Sequence, residues 1–127
     1  AHERLAGALE MPLVIEEFGF PRDNEAYDPG ETTVFRERFY SLTYRAVESS
    51  WRAGGPIAGS NFWAWNGEAR AGHSDARFRP GDRAYMGDPP HEPQGWYGNF
   101  DSDAAMLKVV RDHAIRSCVG TARACTP

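Results

Sequence analysis

The sequence lacks what would bind polyanions, cross a bilayer or hold a structural metal. It has two cysteines, Cys118 and Cys125, seven residues apart in a Gly/Thr/Ala-rich tail. Such a pair either closes a small loop in an exported chain or stays as two free thiols. No second cysteine pair or His-x-x-x-His accompanies them, so there is no zinc pattern. Eighteen acidic residues outnumber fourteen basic ones, and the net charge is −4 with no basic run. That argues against a nucleic-acid binder, which works by neutralising phosphates. No stretch approaches the roughly 18 apolar residues of a membrane helix. A Gly-rich phosphate loop and a Gly-x-Ser-x-Gly nucleophile elbow are both missing. The opening residues, Ala1-His2-Glu3-Arg4, are polar and helical in character, unlike a signal peptide.

What is present is a globular composition of 127 residues, 41% hydrophobic and 25% charged, enough for one domain around one core. Aromatic residues reach 13%, and thirteen glycines and nine prolines imply long, shaped loops.

Strand and helix signals alternate along the chain. His2 to Glu10 read as a helix, with Leu5 and Leu9 at i, i+4 spacing. Pro12 opens the apolar run Leu13-Val14-Ile15, which ends in Glu16-Glu17-Phe18-Gly19 and suits a strand of a parallel sheet. A polar loop follows from Phe20 to Glu31. Thr32 or Thr33 caps a long helix to about Ala53, with Phe35, Phe39, Leu42, Ala46 and Val47 as its apolar face. Gly54-Gly55-Pro56 stops it, and Ile57 to Trp65 reads as the second strand. A Pro-rich loop of roughly 35 residues then leads to a last helix, capped by Asp101 or Ser102, with Met106, Leu107, Val110 and Ala114 inward. This alternation predicts a parallel α/β sheet, where chemistry gathers at the carboxyl ends of strands.

Both strands end in unusual residues. Alternation places Leu13, Ile15 and Glu17 on one face and Val14 and Glu16 on the other, so one carboxylate projects into a central site. The other lies beneath the helices and needs a donor there; a strand simply ending in solvated acids is the plain alternative. Glycine at position 19 lets the chain turn sharply and brings backbone close to whatever the glutamate meets. Trp63 and Trp65, at i, i+2, point to the same side, with Asn61 and Glu68 beside them. An aromatic plane ringed by polar groups suits the apolar face and hydroxyl edge of a sugar. The long loop gathers Tyr85, Asp88, His91, Glu92, Trp96 and Tyr97, a cleft wall or a self-packed loop. His2, His73 and His113 read as surface residues.

Three blocks together carry a resemblance. Leu13-Val14-Ile15-Glu16-Glu17-Phe18-Gly19-Phe20-Pro21-Arg22-Asp23 resembles the seventh-strand segment of glycoside hydrolase family 5, in its β-mannanase branch. Ala58-Gly59-Ser60-Asn61-Phe62-Trp63-Ala64-Trp65 resembles that branch's eighth strand. Gly87-Asp88-Pro89-Pro90-His91-Glu92-Pro93-Gln94-Gly95-Trp96-Tyr97 resembles the loop after it in bacterial members.

The resemblance implies a (β/α)8 barrel that cleaves β-1,4-mannosidic bonds in mannans or manno-oligosaccharides with retention of configuration. It implies Glu17 as the nucleophile and Trp63 as the floor under the sugar, with Trp65, Trp96 and His91 as further substrate-binding residues. No metal or organic cofactor is expected. The family's second carboxyl group, the Glu of an Asn-Glu-Pro motif at the fourth strand, has no counterpart here. Two strands cannot close a barrel of about 250 residues. The expectation is therefore a carboxyl-terminal segment over residues 1–127, with 116–127 a loose tail. Its partner would be the amino-terminal portion of the same barrel. Secretion or a periplasmic location follows from the resemblance alone. The competing readings are a non-catalytic carbohydrate-binding module, of the β-sandwich kind, and a scaffold fragment.

Overall fold

A computed structural model describes residues 1–83, 86–89 and 91–119. The chain is α/β. Helix α1 (His2–Ala8) leads into strand β1 (Leu13–Phe18), followed by a short 3-10 turn (Asp23–Glu25). Helix α2 (Val34–Arg52) connects to β2 (Ile57–Phe62). Short strands β3 (Trp65–Gly67) and β4 (Asn99–Phe100) precede helix α3 (Ala104–Val119). Strands β1 and β2 pair in parallel, Leu13 opposite Ile57 and Phe18 opposite Phe62, with α2 as the crossover. A β-sandwich module joins its antiparallel strands differently, so this βαβ unit argues against that alternative.

The second strand is shorter than its apolar run predicts. It stops at Phe62, and the Trp63–Ala64 peptide, which is cis, separates it from β3. Strand β3 pairs with β4 instead, across the long loop. The same-side argument for Trp63 and Trp65 required one continuous strand and does not apply.

The core lies between the strands and the two long helices. Phe18, Tyr40, Tyr44 and Met106 form its buried cluster, with Ile15, Phe39, Phe62, Val109 and Val110 packed against it. Phe18 and Tyr40 rings meet at 4.9 Å, and Tyr40 and Phe62 at 5.7 Å. Contacts of this kind contribute about 0.5–1.5 kcal/mol each beyond area burial.

Helix α2 turns only part of the expected apolar stripe inward: Val47 is buried and Phe39 packs against the core. Arg36, Tyr40, Tyr44 and Val47 are buried, whereas Phe35 and Leu42 are 62% and 52% exposed. The reason is polar. The Arg36 guanidinium donates to the carbonyls of Phe20 (2.6 Å), Trp96 (2.8 Å) and Gly98, tying the loop after β1 to the loop before β4. Burial, then the nearby Arg22 charge, pushes Arg36 down to about 10. Such a cluster of acceptors repays the desolvation of a charge that hydropathy alone would leave in water.

Both helix starts also depart from expectation. Thr33 holds the position before α2, but its side chain does not cap the helix. Asp23 does so from a distance, accepting from Val34 N–H (2.8 Å), Phe35 N–H (3.1 Å) and the Thr32 hydroxyl (2.6 Å). Burial opposes its ionisation, yet those donors hold its carboxyl below the ordinary aspartate range. Helix α3 begins after Asp103 rather than after Asp101 or Ser102. Asp103 is buried in a bidentate pair with Arg22, at 2.9 and 2.7 Å, and also accepts from Phe100 N–H.

On α3, Met106, Val109 and Val110 face the core, while Ala114 is exposed. His113 is not a surface residue. Its ring stacks on Tyr44 at 3.9 Å, and Nδ1 lies 2.9 Å from the buried Glu48 carboxylate, which also accepts from Arg116 (3.0 Å). The helix continues through Arg116 to Val119, so the first residues of the expected tail are helical. Tyr85 and Cys125, and with Cys125 the pairing considered for Cys118, lie outside the described residues.

Candidate active site

The carboxyl ends of β1 and β2 meet in one cavity. Glu17, Gly19, Trp63 and Tyr97 line a space of about 270 Å³. Strict alternation does not put Glu17 there. Ile15 packs toward the helices while Val14 is 42% exposed on the opposite face, so an unbroken strand would turn Glu17 toward the helices with Ile15. The pairing register shifts between Ile15 and Phe18, and Glu17 adopts φ +54°. That local bulge re-aims its side chain into the cavity, as bulges at strand ends commonly do. Phe18, next in line, returns to the core.

Glu16 is likewise exposed, not covered by helices, and its partner is the Asn61 side-chain amide at 2.9 Å. No described residue donates a hydrogen bond to the Glu17 carboxylate. Glycine at position 19 is required by clearance rather than by a left-handed turn. A Cβ there would sit 2.6 Å from the Trp63 carbonyl oxygen and 3.0 Å from the Tyr97 ring.

The Trp63 backbone is pinned at both its N–H and its carbonyl. Its N–H donates to the Phe18 carbonyl (2.8 Å), joining it to the end of β1. Its carbonyl accepts from the Tyr40 hydroxyl (3.3 Å), which in turn accepts from the Asn99 amide (3.0 Å). Asn99 also donates to the Ala64 carbonyl (3.2 Å). The indole is partly exposed, as a stacking surface must be.

The other predicted residues distribute less tightly. Trp65 lines a neighbouring cavity of about 420 Å³ with Phe62, Trp63, Ala64, Asn66, Ala69, Met86 and Gly87. Trp96 packs edge-on against Tyr27 at 5.4 Å and does not line the cavity with Glu17. His91, with a side chain 80% exposed, contacts Glu92 at 3.5 Å and lies apart from that cavity. Tyr97 takes the place on the wall that Trp96 was expected to hold. Tyr97 was among the loop residues read as a cleft wall, but which of the two neighbouring aromatics faces the cavity cannot be read without the backbone. Among the described residues, no group of three His, Cys, Asp or Glu side chains is placed to hold a metal ion. No helix among them is long and apolar enough to cross a membrane.

A βαβ unit with a carboxylate and an indole at its strand ends belongs to the α/β class whose chemistry sits on that edge. The family described as GH family 5 beta-mannosidase-like matches residues 1–118. A glycoside hydrolase family 5 mannosidase from Rhizomucor miehei superposes with a TM-score of 0.79 at 29% identity, covering 94% of this chain and 29% of that one. A glutamate-to-alanine mutant of that protein, in complex with mannosyl-fructose, superposes with a TM-score of 0.76 at 30% identity, over 94% and 30%. "Mannan endo-1,4-beta-mannosidase 3" of Arabidopsis thaliana is 36% identical over 55 residues, 43% of this chain and 12% of that protein. The chain therefore belongs to glycoside hydrolase family 5, among its mannosidase-like members. It spans under a third of the length of the solved relatives.

Proposed function

We propose that this chain is the carboxyl-terminal part of a (β/α)8 retaining glycoside hydrolase that cleaves β-1,4-mannosidic bonds in mannan or manno-oligosaccharides. The observation that carries the reading is the shared cavity: the Glu17 carboxylate and the Trp63 indole face the same space. In the first step Glu17 attacks the anomeric carbon. A covalent glycosyl ester forms as the glycosidic C–O bond breaks, and the leaving oxygen takes a proton from an acid/base glutamate. In the second, that glutamate accepts a proton from water, the water oxygen attacks the same carbon, and Glu17 leaves as carboxylate. Two inversions return the original configuration.

The acid/base glutamate must sit about 5–5.5 Å from Glu17 and comes from the amino-terminal portion of the barrel. Trp63 supplies an apolar floor for the sugar's C–H face, and Tyr97 and Trp65 extend the aromatic wall. A polymeric substrate places the enzyme in the periplasm or outside the cell.

Release of reducing ends from mannan tests this. The chain joined with the rest of its barrel should hydrolyse mannan, the chain alone should not, and Glu17→Gln should silence the whole. Hydrolysis by the isolated chain, or by the Glu17→Gln enzyme at the parental rate, would sink the proposal.

A further inference from the structure

The backbone of Trp63 is fixed by Phe18 and Tyr40, but neither contact sets the plane of its indole. The ring's outer edge meets a different structure, the loop residues Met86 to Pro89. Gly87, at φ +86°, lies against that edge, and a Cβ on it would sit 3.2 Å from Trp63 Cζ2. Asp88 follows. Its buried carboxylate accepts from Gly95 N–H (2.6 Å), and the Trp96 N–H and the Trp63 side chain lie close enough to favour its charged form.

The loop is held shut behind Asp88. The buried Gln94 amide donates to the carbonyls of Asp88 (2.9 Å), Pro89 (3.1 Å) and Glu92 (3.4 Å), and its oxygen accepts from Met86 N–H (3.3 Å). A carboxylate held by the Gly95 N–H, beside an amide that ties the carbonyls of Asp88, Pro89 and Glu92 together, is a rigid acceptor. A rigid acceptor restrains whatever further donor it meets.

We propose that Asp88 is a positioning residue, which sets the plane of the Trp63 indole at the cavity wall shared with Glu17. The role in sugar binding rests on the reading above; the Asp88–Trp63 coupling does not. Around Asp88 the other titratable groups are Glu92, whose charge opposes its ionisation, and Tyr27. Burial foremost raises the Asp88 carboxyl above the ordinary aspartate value of 3.8.

Two measurements on the complete enzyme decide the matter. In a Glu17→Gln background, which separates binding from turnover, calorimetry with mannotriose should show Asp88→Asn weakening binding about tenfold. The loss should vanish when Trp63→Ala is already present. No loss, or an equal loss in both backgrounds, overturns the proposal. The second needs neither sugar nor a variant at Asp88. The ¹⁵N-labelled indole resonance of Trp63, assigned through Trp63→Phe, should titrate on acidification with a midpoint above 3.8. A resonance that does not move overturns the proposal even where Asp88→Asn fails to fold. Failure of mannotriose to bind the Glu17→Gln enzyme, with the indole still titrating, counts against the mannan reading and leaves Asp88 as the setter of the ring.

Discussion

The two faces of the β1–β2 pair are built on opposite terms. On the helix side Ile15, Phe18 and Phe62 close against Tyr40, Tyr44 and Met106, and the charged groups nearby are matched with partners. On the other side Val14, Glu16 and Asn61 stay exposed, and Glu17 stands at the cavity with no described donor. A face that stabilises the fold saturates its polar groups, because an unpaired buried one costs free energy. A face that does chemistry keeps an acceptor open for substrate. Two glutamates display the contrast: Glu48 is enclosed by His113 and Arg116, and Glu17 is left open.

That contrast predicts that activity and stability separate by face, in the complete enzyme. Glu17→Gln should lower kcat/KM for manno-oligosaccharide by three orders of magnitude or more, roughly the scale of removing one member of a catalytic set. Its unfolding free energy in urea should stay within about 0.5 kcal/mol of the parent's, as for an exposed substitution. On the other face, Arg22→Ala should cost about 3–5 kcal/mol in urea unfolding, since it leaves Asp103 buried and unpaired.

Glu48→Ala should cost less, about 2 kcal/mol, because Arg116 is half-exposed and partly solvated already. Burial works against ionised Glu48, but hydrogen bonds from His113 and Arg116 hold it below its ordinary value of 4.5. Its contribution is present above that value and is lost as pH falls through the lower folded pKa. Acid unfolding of Glu48→Gln should therefore be shallower than the parent's. At the small end, Asp23→Ala should cost about 1 kcal/mol as a lost helix cap, and Thr33→Ala less. Equal losses at the two would contradict the long-range cap.

The order of the long elements and the strand starts were legible in the residues; the end of β2 at Phe62 and the short β3–β4 pair were not. Pro12 and the run to Gly19, and Gly54-Gly55-Pro56 before Ile57, mark boundaries that the backbone keeps within a few positions. The pairing of Glu17 with Trp63 came from motif resemblance, not alternation. Period-2 logic cannot foresee a register shift, and here the shift decides which face Glu17 occupies. Apart from Phe39 and Val47, the inward face of α2 was hidden for a related reason. Arg36, Tyr40, Tyr44 and Glu48 score as polar or ambiguous, and only their partners on other elements make burial favourable. Asp23 and Asp88 act across eleven and seven residues or more, beyond any local pattern.

The central claim is that Glu17 forms the bond to the sugar. Incubating the complete enzyme with a 2-fluoro-mannoside slows breakdown of the covalent intermediate, and peptide mass spectrometry then locates the label. The account predicts one added sugar on the peptide containing Glu17, with fragment ions placing it on that side chain. A label on Glu16, or on any residue outside this chain, would contradict it.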